Sequence, residues 1–431
     1  MFRKTVIFLC LALCRVVNAQ GLAAGGEQQT ADSIRVTLLT CSPGQEVYQL
    51  YGHTAIRCQK TTSAPRSKGE DPDKEVAPLT ENPGETFDLV FNYGVFDLSK
   101  EHFVWNFMLG HTDYIVQATT WQDFVRDYEE QGRGITEQEL NLTQGEAERL
   151  TARLKENCLP KNCHYRYNFL YRNCTTMVRD MVEQTVFGNI MYPDSLPRQT
   201  AREILHRYTE GHPWAETGND LLLGATADTI LSVHAALFIP ENMMKAFQGA
   251  IVVNAKGDRR PLTRSTKVVL EAKTLAGEPD FPLRPSEAML ALGIACLLIA
   301  SAETWSRRTF WLWDVILLLL QGSAGTLIAF MFFFSEHPAV GSNWHICILN
   351  PVALAGIPLV IKAAVRHKPT MWYAAYFVVL ALFLLFSPWI PQVFAKITVP
   401  LTLCLLTRPI SYYLVWQQRE RHPKARKKRD R

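Results

Sequence analysis

Cys174 stands in the run Tyr171-Arg172-Asn173-Cys174-Thr175-Thr176, directly ahead of an amphipathic stretch over residues 177–182. Asn is a favoured N-cap, so the spacing predicts a helix that starts at the thiol and holds it in the first turn. There the helix dipole and free backbone N–H groups favour thiolate over thiol, and the same N–H groups can receive a developing oxyanion. A thiol nucleophile also needs a base, normally histidine. His53, in Leu50-Tyr51-Gly52-His53-Thr54-Ala55-Ile56-Arg57, is the candidate, on an expected strand where Gly52 lets another backbone or a substrate approach closely. Asn92, in Phe91-Asn92-Tyr93-Gly94, is the expected group to orient His53, with Asp97 as the alternative. Each residue also has a plainer reading: a small buried cysteine at a helix start, a half-buried strand histidine, and a polar strand residue that needs a hydrogen bond.

Positioning these groups takes strands and a helix from distant parts of the chain. Residues 34–39, 49–58 and 86–96 show the β-branched and aromatic alternation of strands, and the Ser, Pro, Gly and charge of residues 57–85 make the middle of that stretch a loop. Thr143 with Glu146 forms a capping box ahead of a helix through about Asn157, with Ala147, Leu150 and Leu154 at helical spacing. Residues 20–240 are therefore expected to be a mixed α+β domain, with a connector over 241–285. Trp214, Asp220, Asp228 and Pro240, near its end, are expected to brace the chain between this domain and the C-terminal region.

That C-terminal region is apolar. Runs near residues 288–305, 310–334, 344–362, 371–389 and 392–416 approach the roughly 20 residues that cross a bilayer core. Five spans over 286–416 are expected, the first with the shortest continuous apolar part. The chain begins with Arg3, Lys4, an apolar run and Val17-Asn18-Ala19, the pattern of a signal peptide over residues 1–19 cleaved after Ala19; an uncleaved anchor is the alternative, since Arg15 interrupts the run.

Orientation can be read from charge. The 431 residues carry 45 Lys and Arg against 41 Asp and Glu, a net +4 that excludes a globally basic nucleic-acid binder. The basicity is local, because residues 419–431 hold eight Lys or Arg against Glu420 and Asp430. If residues 20–285 lie outside, Arg307, Arg308, Lys362, Arg366, Lys368 and the 417–431 tail fall inside, while residues 335–343 and 388–391, without Lys or Arg, fall outside. His337 and Trp344 then sit at the outer boundary, facing the compartment of Cys174. With Tyr51, Tyr93 and Asn173 they are candidate substrate contacts.

Several familiar chemistries are absent from the sequence: no His-Glu-x-x-His helix, no Gly-x-Ser-x-Gly elbow and no Walker loop. Cys158, Cys163 and His164 lack a second matching pair, so no metal is expected, and no cofactor. The exported part holds Cys41, Cys58, Cys158, Cys163 and Cys174, an odd number. Cys41 with Cys58 and Cys158 with Cys163 are candidate disulfides that leave Cys174 over, although spacing does not determine pairing.

Tyr-Gly-His-Thr-Ala-Ile-Arg, Phe-Asn-Tyr-Gly-Val-Phe-Asp, and Asn-Cys-Thr-Thr followed by Arg179-Asp180 resemble the DUF4105 family, and within it the Bacteroides-type lipoprotein N-acyltransferases, the Lnb type. The similarity covers nearly the whole mature chain, including residues 214–228 and 344–351. It implies a permuted papain-like thiol domain related to NlpC/P60, in which histidine precedes cysteine, followed by an all-α membrane domain. It implies His53 as base and Cys174 as nucleophile, a phospholipid as acyl donor, a diacylated lipoprotein as acceptor, and a bacterial inner membrane with the thiol domain in the periplasm. The insert between Arg57 and Thr86 is longer than usual for the family. Two other classes are compatible with the same residues: a membrane-anchored periplasmic cysteine peptidase or amidase acting on cell-wall peptide, and a non-catalytic envelope protein.

Overall fold

The computed structural model describes residues 33–61, 86–273, 281–366, 368 and 370–421. The expected signal peptide, most of the Pro-rich insert and the basic tail beyond Arg421 lie outside the described residues.

The three expected strands form as β1 (Ser33–Cys41), β2 (His53–Thr61) and β3 (Phe87–Val95). β2 begins later than its pattern suggests, because Val47–Gln49 close a 3-10 turn and Gly52, at φ +76°, turns the chain into the strand. A Cβ at Gly52 would lie 2.7 Å from the Cys41 carbonyl oxygen, so torsion and space both require glycine. His53 is thereby the first residue of β2, at the rim of the sheet.

The chain continues through α1 (Phe103–Leu109), β4 (Asp113–Thr120), α2 (Trp121–Glu130), β5 (Ile135–Leu140), α3 (Gln144–Asn157), β6 (His164–Arg166) and α4 (Cys174–Glu183). Then come β7 (Asn189–Met191), α5 (Ala201–Thr209), α6 (Pro213–Leu222), α7 (Val233–Ala236), α8 (Pro240–Gly249), β8 (Ile251–Val253), β9 (Arg259–Pro261) and β10 (Thr263–Leu270). Seven strands form one antiparallel sheet in the order β10-β5-β1-β2-β3-β4-β6, and β7, β8 and β9 form a small second sheet. Much of the stretch expected as a connector, 241–285, thus returns to the domain, since β10 is registered on β5 as an edge strand.

Strand alternation gives the large sheet two apolar faces. Leu38, Ile56, Phe91 and Val116 pack with α3, α4 and α8, while Leu39, Ala55, Val90 and Ile135 pack with Phe124 and Tyr128 of α2. The capping box of Thr143 and Glu146 opens α3 as expected.

The expected disulfides do not form: every cysteine among the described residues is free. Cys41 belongs to the α2 face and is registered on His53, whereas Cys58 belongs to the α3 face and is registered on Val36, so the two thiols are on opposite sides of the sheet. Cys163 Sγ donates instead to the Pro160 carbonyl at 3.6 Å, and burial, with Cys163 nearby, pushes the Cys158 thiol up to about 12.

The C-terminal region is helical: α9 (Pro285–Ser306), α10 (Trp311–Phe334), α11 (Val352–Arg366), α12 (Met371–Phe386) and α13 (Thr398–Arg421). Four stretches are long and apolar enough to cross a membrane: Pro285–Ser306, Trp311–Phe334, Trp344–Arg366 and Met371–Trp389. The fifth expected span does form a helix, α13, packed on α9 and α12, but with Arg408, two Pro and several Thr and Tyr along it, it is not among those four stretches. Arg408 of α13 is buried and bound at 2.8 Å by Glu303 of α9 and at 2.7 Å by Asp314 of α10.

Polar contacts tie the two regions to one another. Arg202 of α5, 1% exposed, binds Asp220 at 2.9 Å and Asp228 at 2.7 Å, and donates to the Leu223 carbonyl. Asp228 also accepts from the Val393 N–H, in the loop before α13. Replacing Arg202 with Ala strands two buried carboxylates, a change that should cost about 3 kcal/mol or more. The unfolding midpoint of the full-length protein in detergent should fall accordingly, with Arg202→Lys falling less because charge is kept while the bidentate geometry is lost.

Candidate active site

The helix predicted to begin at the thiol does so. Asn173, in extended conformation, is the N-cap of α4: its Oδ1 accepts from the Thr175 and Thr176 N–H groups at 2.9 Å each, and its own N–H donates to Thr176 Oγ1. Its Nδ2 donates to the Phe169 and Phe238 carbonyls, both at 2.8 Å. The cap therefore ties the nucleophile's helix to the loop before it and to the segment leading into α8.

Cys174 reaches the sheet where β3 gives way. Gly94, at φ +93°, lies where the β3–β4 register shifts between Tyr93 and Val95, and a Cβ there would come within 3.4 Å of the Cys174 Cβ. From the neighbouring strand, Thr54 Oγ1 meets Thr175 Oγ1 at 3.1 Å. Burial pushes the Cys174 thiol up. The charge of His53 and hydrogen bonds from His53, the Thr54 N–H and the Thr175 hydroxyl together outweigh that and hold the group at about 7. At Cys41 and Cys58 burial outweighs the favourable contacts, Tyr128 and Arg133 at the first and Thr151 and Lys155 at the second, and the thiols are pushed up to about 12.

His53 and Asn92 are diagonal neighbours on one face, since Asn92 is registered on Ala55. His53 Nε2 lies 3.3 Å from Asn92 Oδ1, and Asn92 Nδ2 donates to Thr119 Oγ1 at 3.3 Å. With the amide so oriented its oxygen accepts from the Nε2–H of His53. Asp97, the alternative, is exposed and turned to Ser99, whose side-chain and backbone hydrogen bonds lower its carboxyl. Asn92 is the group that contacts the histidine.

Cys174 and His53 open onto a cavity of about 490 Å³ with mainly apolar walls, among them Phe107, Met108, Tyr167, Phe169 and Ile239. Met331 of α10 and His337 and Val340 of the loop after it complete those walls, so the membrane region supplies part of the site. Of the candidate contacts, Tyr51, Asn173 and His337 line the cavity. Tyr51 Oη accepts from Asn219 at 2.8 Å; His337 Nε2 donates to the Phe107 carbonyl at 2.8 Å, and burial lowers its pKa. Tyr93 is buried in the core, its hydroxyl accepting from Asn157, and Trp344 is exposed, with its backbone N–H bonded to Gln392; neither lines the cavity. The sequence reading missed Phe107, Met108 and Met331. For Phe107 and Met108 the signal was the apolar run Phe103-Val104-Trp105-Asn106-Phe107-Met108-Leu109, beyond the last expected strand, and Met331 lay within the expected span 310–334.

Thiolate is the form that alkylates, so the rate of Cys174 modification by iodoacetamide should rise with pH through a midpoint near 7. In His53→Ala the largest favourable influence is gone while burial remains, and the midpoint should move above the ordinary thiol value of 9. Peptide-resolved mass spectrometry of the full-length protein measures both.

Two family models match the chain. One described as the Lnb N-terminal periplasmic domain matches residues 24–207, and one described as the Lnb transmembrane domain matches residues 276–420. No curated protein and no solved structure matches it. The two matches succeed one another along a single chain and coincide with the sheet-rich and helical regions, so this is a membrane protein with a periplasmic N-terminal domain. The chain belongs to the Lnb family of lipoprotein-modifying enzymes.

Proposed function

We propose that the protein is a lipoprotein N-acyltransferase working through a thioester on Cys174, in a papain-like arrangement of Cys174, His53 and Asn92. The observation that carries this reading is the apolar cavity, which joins the thiol to walls supplied by the membrane region. A peptidase or amidase with the same dyad needs a polar cleft for peptide, whereas about 490 Å³ of apolar space suits an acyl chain.

In the first half-reaction the Cys174 thiolate attacks the ester carbonyl of a phospholipid, His53 protonates the departing lysophospholipid oxygen, and a thioester remains. In the second the α-amino group of a diacylglyceryl-cysteine attacks that thioester, His53 takes its proton, and the thiolate leaves as the amide forms. The Thr175 and Thr176 N–H groups are occupied by the cap, so the oxyanion role falls to the Cys174 N–H. Apolar walls shield the thioester from water between the two steps.

The same reading has α13 as a fifth span, the protein in the inner membrane and the C-terminus in the cytoplasm. Its support is that Glu303 and Asp314 bind Arg408 within the helices, which removes the main obstacle to α13 crossing. Lys396, which falls in the outer loop before α13, is paired at 2.9 Å with Glu216 of α6. A reporter active only in the cytoplasm should work when fused at Arg431, and its silence there would count against five spans.

Purified protein given phospholipid without acceptor should carry an acyl group on Cys174 that hydroxylamine releases at neutral pH. Added diacylated lipopeptide should receive the chain on its terminal nitrogen. Cys174→Ala and His53→Ala should each lose nearly all turnover, because attack and proton transfer act as one unit, while Asn92→Ala should lose less. Cleavage of wall peptide with no acyl-enzyme at any stage would favour the hydrolase reading.

A further inference from the structure

Acyl transfer at Cys174 needs a path from bilayer to thiol, and the route inferred for it rests on the acyltransferase reading. The turn after β3 and the helix α1 expose apolar side chains that a soluble domain would bury. Leu98 is 58% exposed, Val104 66% and Trp105 50%, although Phe103 and Phe107 of the same helix pack on Phe96, Tyr114 and Tyr167. Ser99, Lys100, Glu101 and His102, between Leu98 and the helix, are exposed and polar, so the apolar exposure that marks an interaction surface is that of Val104 and Trp105 on α1.

Its partner is indicated by what α1 touches. The Trp105 ring stacks on Phe330 of α10, with centroids 4.3 Å apart. α10 ends at Phe334, so Trp105 lies about 6 Å below the end of a membrane-crossing helix at 1.5 Å per residue. The last turn of α10 presents Phe333 and Phe334 outward, 68% and 65% exposed, and Phe330, which Trp105 stacks on, packs in turn on Phe334 with centroids 5.5 Å apart. α1 is also held at this depth. Ser335, Glu336 and His337, directly after α10, donate to the Met108, Leu109 and Phe107 carbonyls at 2.7, 2.8 and 2.8 Å, satisfying the free end of the helix. Phe107 and Met108 meanwhile form cavity wall beside Met331.

We propose that α1, residues 103–109, is inserted in the outer leaflet and binds phospholipid acyl chains there, forming the lipid-side wall of the catalytic cavity past which a chain reaches Cys174 sideways. A Trp at the rim of the hydrocarbon suits that position.

The test uses the full-length protein in vesicles of phosphatidylethanolamine and phosphatidylglycerol. A photoreactive benzoylphenylalanine is placed at position 105, at 333 as a positive control, and at Phe187, an exposed apolar residue beyond the far end of α4, as a negative control. Phospholipid adducts at 105 and 333 and none at 187 are expected; an adduct at 333 without one at 105 overturns the insertion. Trp105→Asp should reduce acyl loading of Cys174 from vesicle phospholipid by about tenfold while the alkylation midpoint of Cys174 stays near 7. Should that variant fail to accumulate, Val104→Asp is read in the same way. Loading at the wild-type rate by either variant overturns the entry role. Failure of the wild-type protein to load at all sinks the acyltransferase reading instead, and the photochemical adducts still decide whether α1 is inserted.

Discussion

The side-chain amide of Asn173 is the contact on which the site depends. Its oxygen takes two N–H groups of α4, and its nitrogen supplies two carbonyls from segments 4 and 65 residues away. One planar group thus sets where the helix begins, which way its first turn faces, and how it sits against the chain entering α8. Cys174 comes directly after it, and the thiol can approach the sheet only because Gly94 has no side chain at the point of contact. The lowered thiol in turn depends on His53, which is at the rim because Gly52 delays the start of β2.

A second constraint acts between the two regions. The backbone groups at the end of α1 and around Gly224 find partners in the loop after α10: residues 335–337 take the α1 carbonyls, and the Gly224 N–H donates to the Ala339 carbonyl at 2.7 Å. A Cβ on Gly224 would lie 2.1 Å from the Gly341 oxygen, so backbone meets backbone there without intervening side chains. Buried backbone groups left unpaired would be costly, and this loop gives the catalytic cavity its floor. Membrane attachment and site construction are consequently one arrangement.

Two buried arginines complete that arrangement, and their logic is similar. Arg202 gathers Asp220, Asp228 and three carbonyls at the junction, and Arg408 gathers Glu303 and Asp314 among the C-terminal helices. Each guanidinium bonds several groups at once, which is what makes its burial tolerable. Asp220 and Asp228, expected to brace the chain ahead of the spans, do so through Arg202, a residue that nothing in the local sequence distinguishes.

Local sequence determined the elements. The caps at Thr143 and Asn173, the alternation in β1 to β3, the apolar helices and a cysteine placed between an N-cap asparagine and an amphipathic stretch are all short-range signals, and each was legible because propensity and spacing act over a few residues. Three short motifs, around His53, Asn92 and Cys174, carried the family. Tertiary structure decided what those elements do to one another. Cys41 and Cys58 looked like a bridge along the chain, yet strand register sent them to opposite faces of the sheet. Asn92 rather than Asp97 meets His53 because Asn92 is registered on Ala55, and no local pattern encodes cross-strand register. Residues 241–285 read as a connector because the partner of β10 is β5, more than a hundred positions away. The cavity wall from Phe107, Met108 and Met331 was invisible for the same reason: its residues are distant in the chain, and only packing of the periplasmic domain onto the end of α10 makes them neighbours.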